Sequence, residues 1–194
     1  TDLWISDYLG NFVNRIKKKC KLVKQNSLNN MYKLFVTVFA IAFLTGCSEK
    51  KQAIYENDAD GHEWINQQSI KDVPNPHSGS AVSIIDSAHS FSLGLCKTIE
   101  NIGIGKIKEV HFSYWVNMKS NQAKASTVIS VDFNGKNVHW DGHPVKVTEL
   151  NKWTLIDETF TLPENVELNN QLSAYVWNNS KEEILVDDLR IKLK

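Results

Sequence analysis

The sequence predicts an all-β domain over residues 53–194, two antiparallel sheets packed as a β-sandwich of jelly-roll type. Three observations predict it. Apolar residues recur with period two in short runs broken by Gly, Asn, Asp and Pro, the alternation of half-buried strands. Asn134-Gly135 sits between two such runs, and a two-residue type I′ hairpin needs positive φ at both centres, which Asn-Gly supplies. No segment of the region sustains a helical stripe, so the strands are not interleaved with crossover helices and an antiparallel arrangement follows. About 140 residues suits a jelly roll of eight or nine strands.

The runs follow in order. Ala81–Ile85 is short and apolar. Phe91–Ile99 contains Cys96, which reads as a buried core thiol because unpaired Cys is among the most buried residue types; it is the only Cys of the region, so no internal disulfide can form. Lys108–Met118 carries Tyr114-Trp115-Val116 at its centre, and Thr127–Phe133 leads into the Asn-Gly turn. Beyond Val138, the stretch His139-Trp140-Asp141-Gly142-His143-Pro144 reads as a solvated loop, its Gly and Pro being poor strand residues. Trp153–Leu162, Gln171–Asn178 and Glu183–Leu193 complete the set.

Upstream of the domain the chain is organised differently. Residues 1–46 hold seven Lys/Arg against two Asp/Glu, and residues 47–194 hold fifteen against twenty, a net of −5 for the latter part. A mildly acidic domain has no footprint for nucleic acid, whose phosphates call for clustered Lys/Arg. From Met31, a lysine (Lys33) precedes an apolar stretch, Leu34–Leu44, too short for a membrane-spanning helix and suited to the apolar core of a signal peptide. Residues 31–46 are therefore read as a lipoprotein signal peptide. Leu44-Thr45-Gly46-Cys47 resembles a bacterial lipobox, which makes Cys47 the lipid acceptor and residues 47–52 a polar tether. Ser48, following the acceptor, resembles lipoproteins sorted to the outer membrane, facing either the periplasm or the cell surface. Residues 1–30 read as spurious upstream sequence, with a basic leader or short amphipathic helix as the alternative.

Within the domain a further set of pieces occurs in a definite order: Tyr55-Glu56-Asn57-Asp58, His77-Ser78-Gly79-Ser80, Tyr114-Trp115-Val116, Trp153 leading to Phe160-Thr161-Leu162-Pro163, Tyr175-Val176-Trp177-Asn178, and Val186-Asp187-Asp188-Leu189-Arg190-Ile191. Together they resemble the jelly-roll domains of galactose-binding and carbohydrate-binding-module type found in surface lipoproteins of the Bacteroidetes. Asp58-Ala59-Asp60-Gly61 departs from that pattern, which has a bulkier aromatic-acidic pair there. The resemblance implies a non-catalytic binding module with carbohydrate as its ligand. The alternative is a structural or protein-interaction accessory domain of an envelope assembly.

Two groups of residues are candidates for chemistry. Strict alternation places Asp187 on one face with Leu185, Leu189 and Ile191, and a carboxylate in an apolar layer is costly unless it is paired, hydrogen-bonded or bound to a cation. The resemblance implies that Asp187 helps to hold a structural Ca²⁺, with Asp58 or Asp60 supplying further oxygens; acceptance of backbone hydrogen bonds at a strand end is the other reading. Trp140, flanked by Asp141, offers an apolar ring with polar neighbours, the combination that a sugar's C–H face and hydroxyls require. Trp115, Tyr175 and Trp177 could extend such a platform, although Trp115 and Trp153 fit core packing better. His139, Asp141 and His143 are also weighed as Zn²⁺ ligands and read instead as part of the loop. No nucleophile elbow, phosphate-binding glycine loop or His-Glu-x-x-His sequence is present, so no enzyme activity is expected.

Overall fold

The computed structural model describes residues 51–59 and 64–194. Cys47, the signal-peptide segment and Asp60 lie outside the described residues. Among the described residues ten strands form: β1 (Ala53–Asn57), β2 (Ile70–Asp72), β3 (Ala81–Ile85), β4 (Leu95–Thr98), β5 (Glu109–Met118), β6 (Ala125–Phe133), β7 (Lys136–Pro144), β8 (Thr154–Thr161), β9 (Gln171–Asn178) and β10 (Ile184–Leu193). A short helix, α1 (Ile99–Ile102), follows β4 and ends at Gly103, which takes the left-handed conformation that a helix stop favours.

The strands build two sheets in which every pairing is antiparallel. The larger has the order β2-β3-β10-β5-β8, with β1 also pairing β10; the smaller has the order β4-β9-β6-β7. The expected two-sheet β-sandwich is therefore what forms. The Asn-Gly hairpin joins β6 to β7, with Asn134 at φ 50° and Gly135 at φ 73°. Alternation sets the core: Val110, Phe112, Tyr114, Val116 and Met118 of β5 point inward and meet Ile129, Val131, Leu172, Ala174 and Val176 of the smaller sheet. A polar link crosses this layer between the Tyr114 hydroxyl and Thr127 Oγ1 at 2.7 Å. Burial holds the Tyr114 phenol far above its ordinary range, so it remains a neutral hydrogen-bonding group.

Three expectations are corrected here. Residues 139–144 are not a loop: they continue β7, paired with β6 from Val131↔His139 to Ser126↔Pro144. Pro144 is tolerated because β7 is an edge strand and Pro144 is its last residue. Cys96 is not a core thiol, since it pairs with Ser173 on the outward face of the smaller sheet, where Ser173 Oγ donates to its sulfur at 3.3 Å. Asp187 does not share a face with Leu189 and Ile191. The β10–β5 register shifts between Asp187 and Arg190, and Asp188 takes φ 48°, so the strand alternates outward at Asp187 and inward again at Leu189.

Candidate functional site: the outward face of the four-stranded sheet

The residues that carry the site come from three strands of the smaller sheet and one adjoining segment. On β9, Leu172, Ala174 and Val176 are buried in the core, so Ser173, Tyr175 and Trp177 project outward. On β6 the same logic sends Ser126, Val128, Ser130 and Asp132 outward. On β7 the outward positions are those paired with them: Trp140 opposite Ser130, Gly142 opposite Val128, and Asn137 opposite Asp132. One row across the sheet thus reads Cys96, Ser173, Ser130, Trp140, and the next reads Tyr175, Val128, Gly142, with Gly94 close against Tyr175.

Trp140 is seated by a glycine. Its indole fills the space above Gly142, where a Cβ would lie 2.5 Å from the nearest ring carbon. From there it reaches across the sheet toward the Tyr175 phenol, to which the indole N–H can offer only a donor. Burial raises the Tyr175 phenol above its usual range. Phe91 packs edge-on against Tyr175 at 5.4 Å between ring centres and bridges to Trp177 through its backbone. The result is a band of Trp140, Tyr175, Phe91 and Trp177 across one face, with Trp140 49% and Phe91 44% exposed. Single exposed apolar residues are ordinary, whereas here four aromatics stand together on one face.

Polar groups border the band at its Trp140 end. Ser130 Oγ donates to Asp132 Oδ2 at 2.6 Å, and the Asn137 amide donates to Asp132 Oδ1 at 3.3 Å and to the His139 carbonyl at 3.1 Å. Of the ligand candidates named from sequence, Trp140 and Trp177 are brought to this face together. Asp141 is not: it lies on the reverse of β7, paired with Ile129, and approaches His143 Nε2 at 3.7 Å, while His143 Nδ1 contacts Glu158 at 3.0 Å and its ring stacks on Phe160. His139 and His143 stand four residues apart on an extended strand, roughly 13 Å, too far to share a metal.

The larger sheet carries a separate clasp on its outward face. The segment before β3 lays His77 over Trp115, ring centres 4.0 Å apart and nearly parallel, with Trp153 edge-on at 5.8 Å. Trp115 therefore packs outside the sandwich rather than in its core. Asp187 Oδ2 accepts the backbone N–H groups of His77 (2.9 Å) and Ser78 (3.1 Å), and Oδ1 accepts that of Asp188 (2.8 Å). Burial is the largest influence on the Asp187 carboxyl and raises its pKa despite these donors. Asp188 binds His77 Nδ1 and Ser78 Oγ, each at 2.5 Å, through different oxygens. Ser78 donates to a carboxylate and not to the imidazole, so this is a fastening and not a nucleophile–base pair.

The same donors decide how the Ca²⁺ expectation fits. Both Asp187 oxygens already face backbone N–H groups, which a cation would oppose. Asp58 instead borders a depression of 410 Å³ with Glu56, Asn57 and Asp188. Among the described residues no group of three His, Cys, Asp or Glu side chains is placed to hold a metal. The described residues do not assemble a calcium shell around Asp187.

The fold and this face define a class: a jelly-roll β-sandwich with an aromatic band on its smaller sheet. Among solved structures, the CBM22-2 xylan-binding domain from Paenibacillus barcinonensis Xyn10C is similar over 72% of this chain and 99% of that one, at 15% identity and a TM-score of 0.51. The CBM22-1 xylan-binding domain of the same protein matches over 75% of this chain and 97% of its own, at 17% identity and a TM-score of 0.47. At these identities the likeness is one of fold. Neither a family model nor a curated protein matches the chain.

Proposed function

We propose that the sandwich is a non-catalytic carbohydrate-binding module that takes its ligand on the outward face of the four-stranded sheet. One observation carries this: Trp140, Tyr175 and Trp177 share that face, with Ser130, Asp132 and Asn137 alongside. Pyranose rings present C–H faces that stack on aromatic rings and equatorial hydroxyls that bond to polar neighbours, and the face offers both. The xylan-binding domain whose fold it shares makes xylan the first polysaccharide to try. Titration of the full chain with xylan and other soluble polysaccharides, followed by Trp fluorescence, tests the reading. Saturable binding lost in Trp140→Ala supports it. Silence across the panel from folded protein would instead favour an accessory domain that binds protein in an envelope assembly.

The proposal includes an address. Cys47, following an apolar segment and Leu44-Thr45-Gly46, is read as the lipidated residue of an outer-membrane lipoprotein. Growth with labelled palmitate should label the protein but not its Cys47→Ala variant; label retained in the variant would refute the anchor.

A further inference from the structure

Resting on the carbohydrate reading, we infer that Trp140 and the cluster of Ser130, Asp132 and Asn137 form a subsite for an uncharged sugar, and that Asp132 turns away acidic glycans. The argument begins with what the cluster has left to offer. The Ser130 hydroxyl hydrogen is committed to Asp132, and its oxygen, approached by the Asn137 amide at 3.5 Å, keeps a lone pair as an acceptor. Each Asp132 oxygen receives one protein donor and keeps a further lone pair. Asn137 directs its N–H groups to Ser130, Asp132 and the His139 carbonyl, leaving its amide oxygen available in the same sense. The subsite beside Trp140 is therefore rich in acceptors and calls for a ligand that donates. Sugar hydroxyls donate. An ionised carboxylate or a sulfate only accepts, and brings a negative charge toward Asp132.

No Lys or Arg on the face itself offsets that charge. The outward positions of β4, β6, β7 and β9 include no Lys or Arg. Lys97 lies over the Tyr55 ring, and Lys136 pairs with Phe133, so both belong to the other face. Lys124, beyond the start of β6, is eight residues from Asp132, roughly 26 Å along an extended strand.

The test compares neutral xylo- or gluco-oligosaccharides with oligogalacturonates of matched length, titrated into the full chain at low and high salt. The neutral sugars should bind and the acidic ones should be roughly tenfold weaker or worse at low salt, with the gap narrowing as salt screens it. Asp132→Asn should close most of the gap, and Asn137→Asp, which adds a second charge, should widen it; thermal melts establish that each variant is folded. Equal affinity for neutral and acidic sugars, or a preference untouched by both substitutions, overturns the assignment while leaving the carbohydrate reading intact. Failure of every sugar to bind overturns both.

Discussion

An alanine at position 142 would place a methyl group 2.5, 2.9 and 3.2 Å from three carbons of the Trp140 six-membered ring, so the ring must leave its seat. The backbone does not resist, because Gly142 lies in a strand and is not among the residues with positive φ. Two terms then nearly cancel in stability. Alanine in a strand gains about 0.5–1 kcal/mol over glycine through the entropy of the unfolded chain. Displacing the indole forfeits its contact with the Tyr175 phenol, on the order of 1 kcal/mol. The net is within about 0.5 kcal/mol of zero, a Tm change of no more than about 2 °C for a chain of this size. Ligand binding has no such compensation, since a displaced central aromatic costs on the order of 2 kcal/mol, or about thirtyfold in Kd. Thermal melts and fluorescence titrations on Gly142→Ala measure the two effects separately. Unchanged affinity would show that the seated conformation of Trp140 is irrelevant to binding. A Tm loss of many degrees would show that the ring cannot move and that the glycine serves the fold.

Further outcomes follow from other contacts. Tyr114→Phe strands the buried Thr127 hydroxyl and should cost about 1–3 kcal/mol in urea unfolding, with Thr127→Val added on top recovering much of it; additive losses would deny the pairing. The raised pKa of Asp187 means the folded chain holds that proton to higher pH than the unfolded chain. Its contribution therefore favours folding most in acid and declines as pH rises from the ordinary carboxylate range, about 4, through the folded value. Asp187→Asn should lower stability overall, because one carboxylate oxygen is lost to backbone donors, and should remove that declining component; a stability–pH curve of unchanged shape would refute it. Chelation should leave the Tm unchanged, as the N–H groups around Asp187 require, and a fall of several degrees would place a cation there.

The strands that bury one clean face were legible in the sequence. β3, β5, β6, β8, β9 and β10 fall where alternation predicts, within a few residues at their ends. The start of β7, Lys136–Val138, was legible as the second arm of the Asn-Gly hairpin, but the rest of the strand was not, because it carries Asp141, Gly142 and Pro144, residues that weaken a strand signal. The structure shows why one of them is present: Gly142 makes room for Trp140. β2 has three residues, too few for a period. The site was half legible. Trp140 and Trp177 could be named as aromatics with polar neighbours, but Asp141 was grouped with Trp140 on closeness in sequence, although adjacent strand residues face opposite ways. Tyr175, two positions before Trp177, was legible as an extension of the same platform, and alternation could also have set Cys96 apart from Leu95. Two features had no signal: the bulge at Asp188, which reverses the face of Asp187, and the placement of His77 over Trp115.

The position of β10 also governs when the molecule can exist at all. This strand fills the middle of the larger sheet and holds β5 on one side and both β1 and β3 on the other, and its partner Ala53 lies 140 residues before Leu193. A chain emerging from its N-terminal side can form the β6–β7 hairpin early, but the larger sheet stays divided until residues 184–193 arrive. Folding must then close long loops in one late step, which favours slow assembly and leaves β1, β3 and β5 with open edges meanwhile.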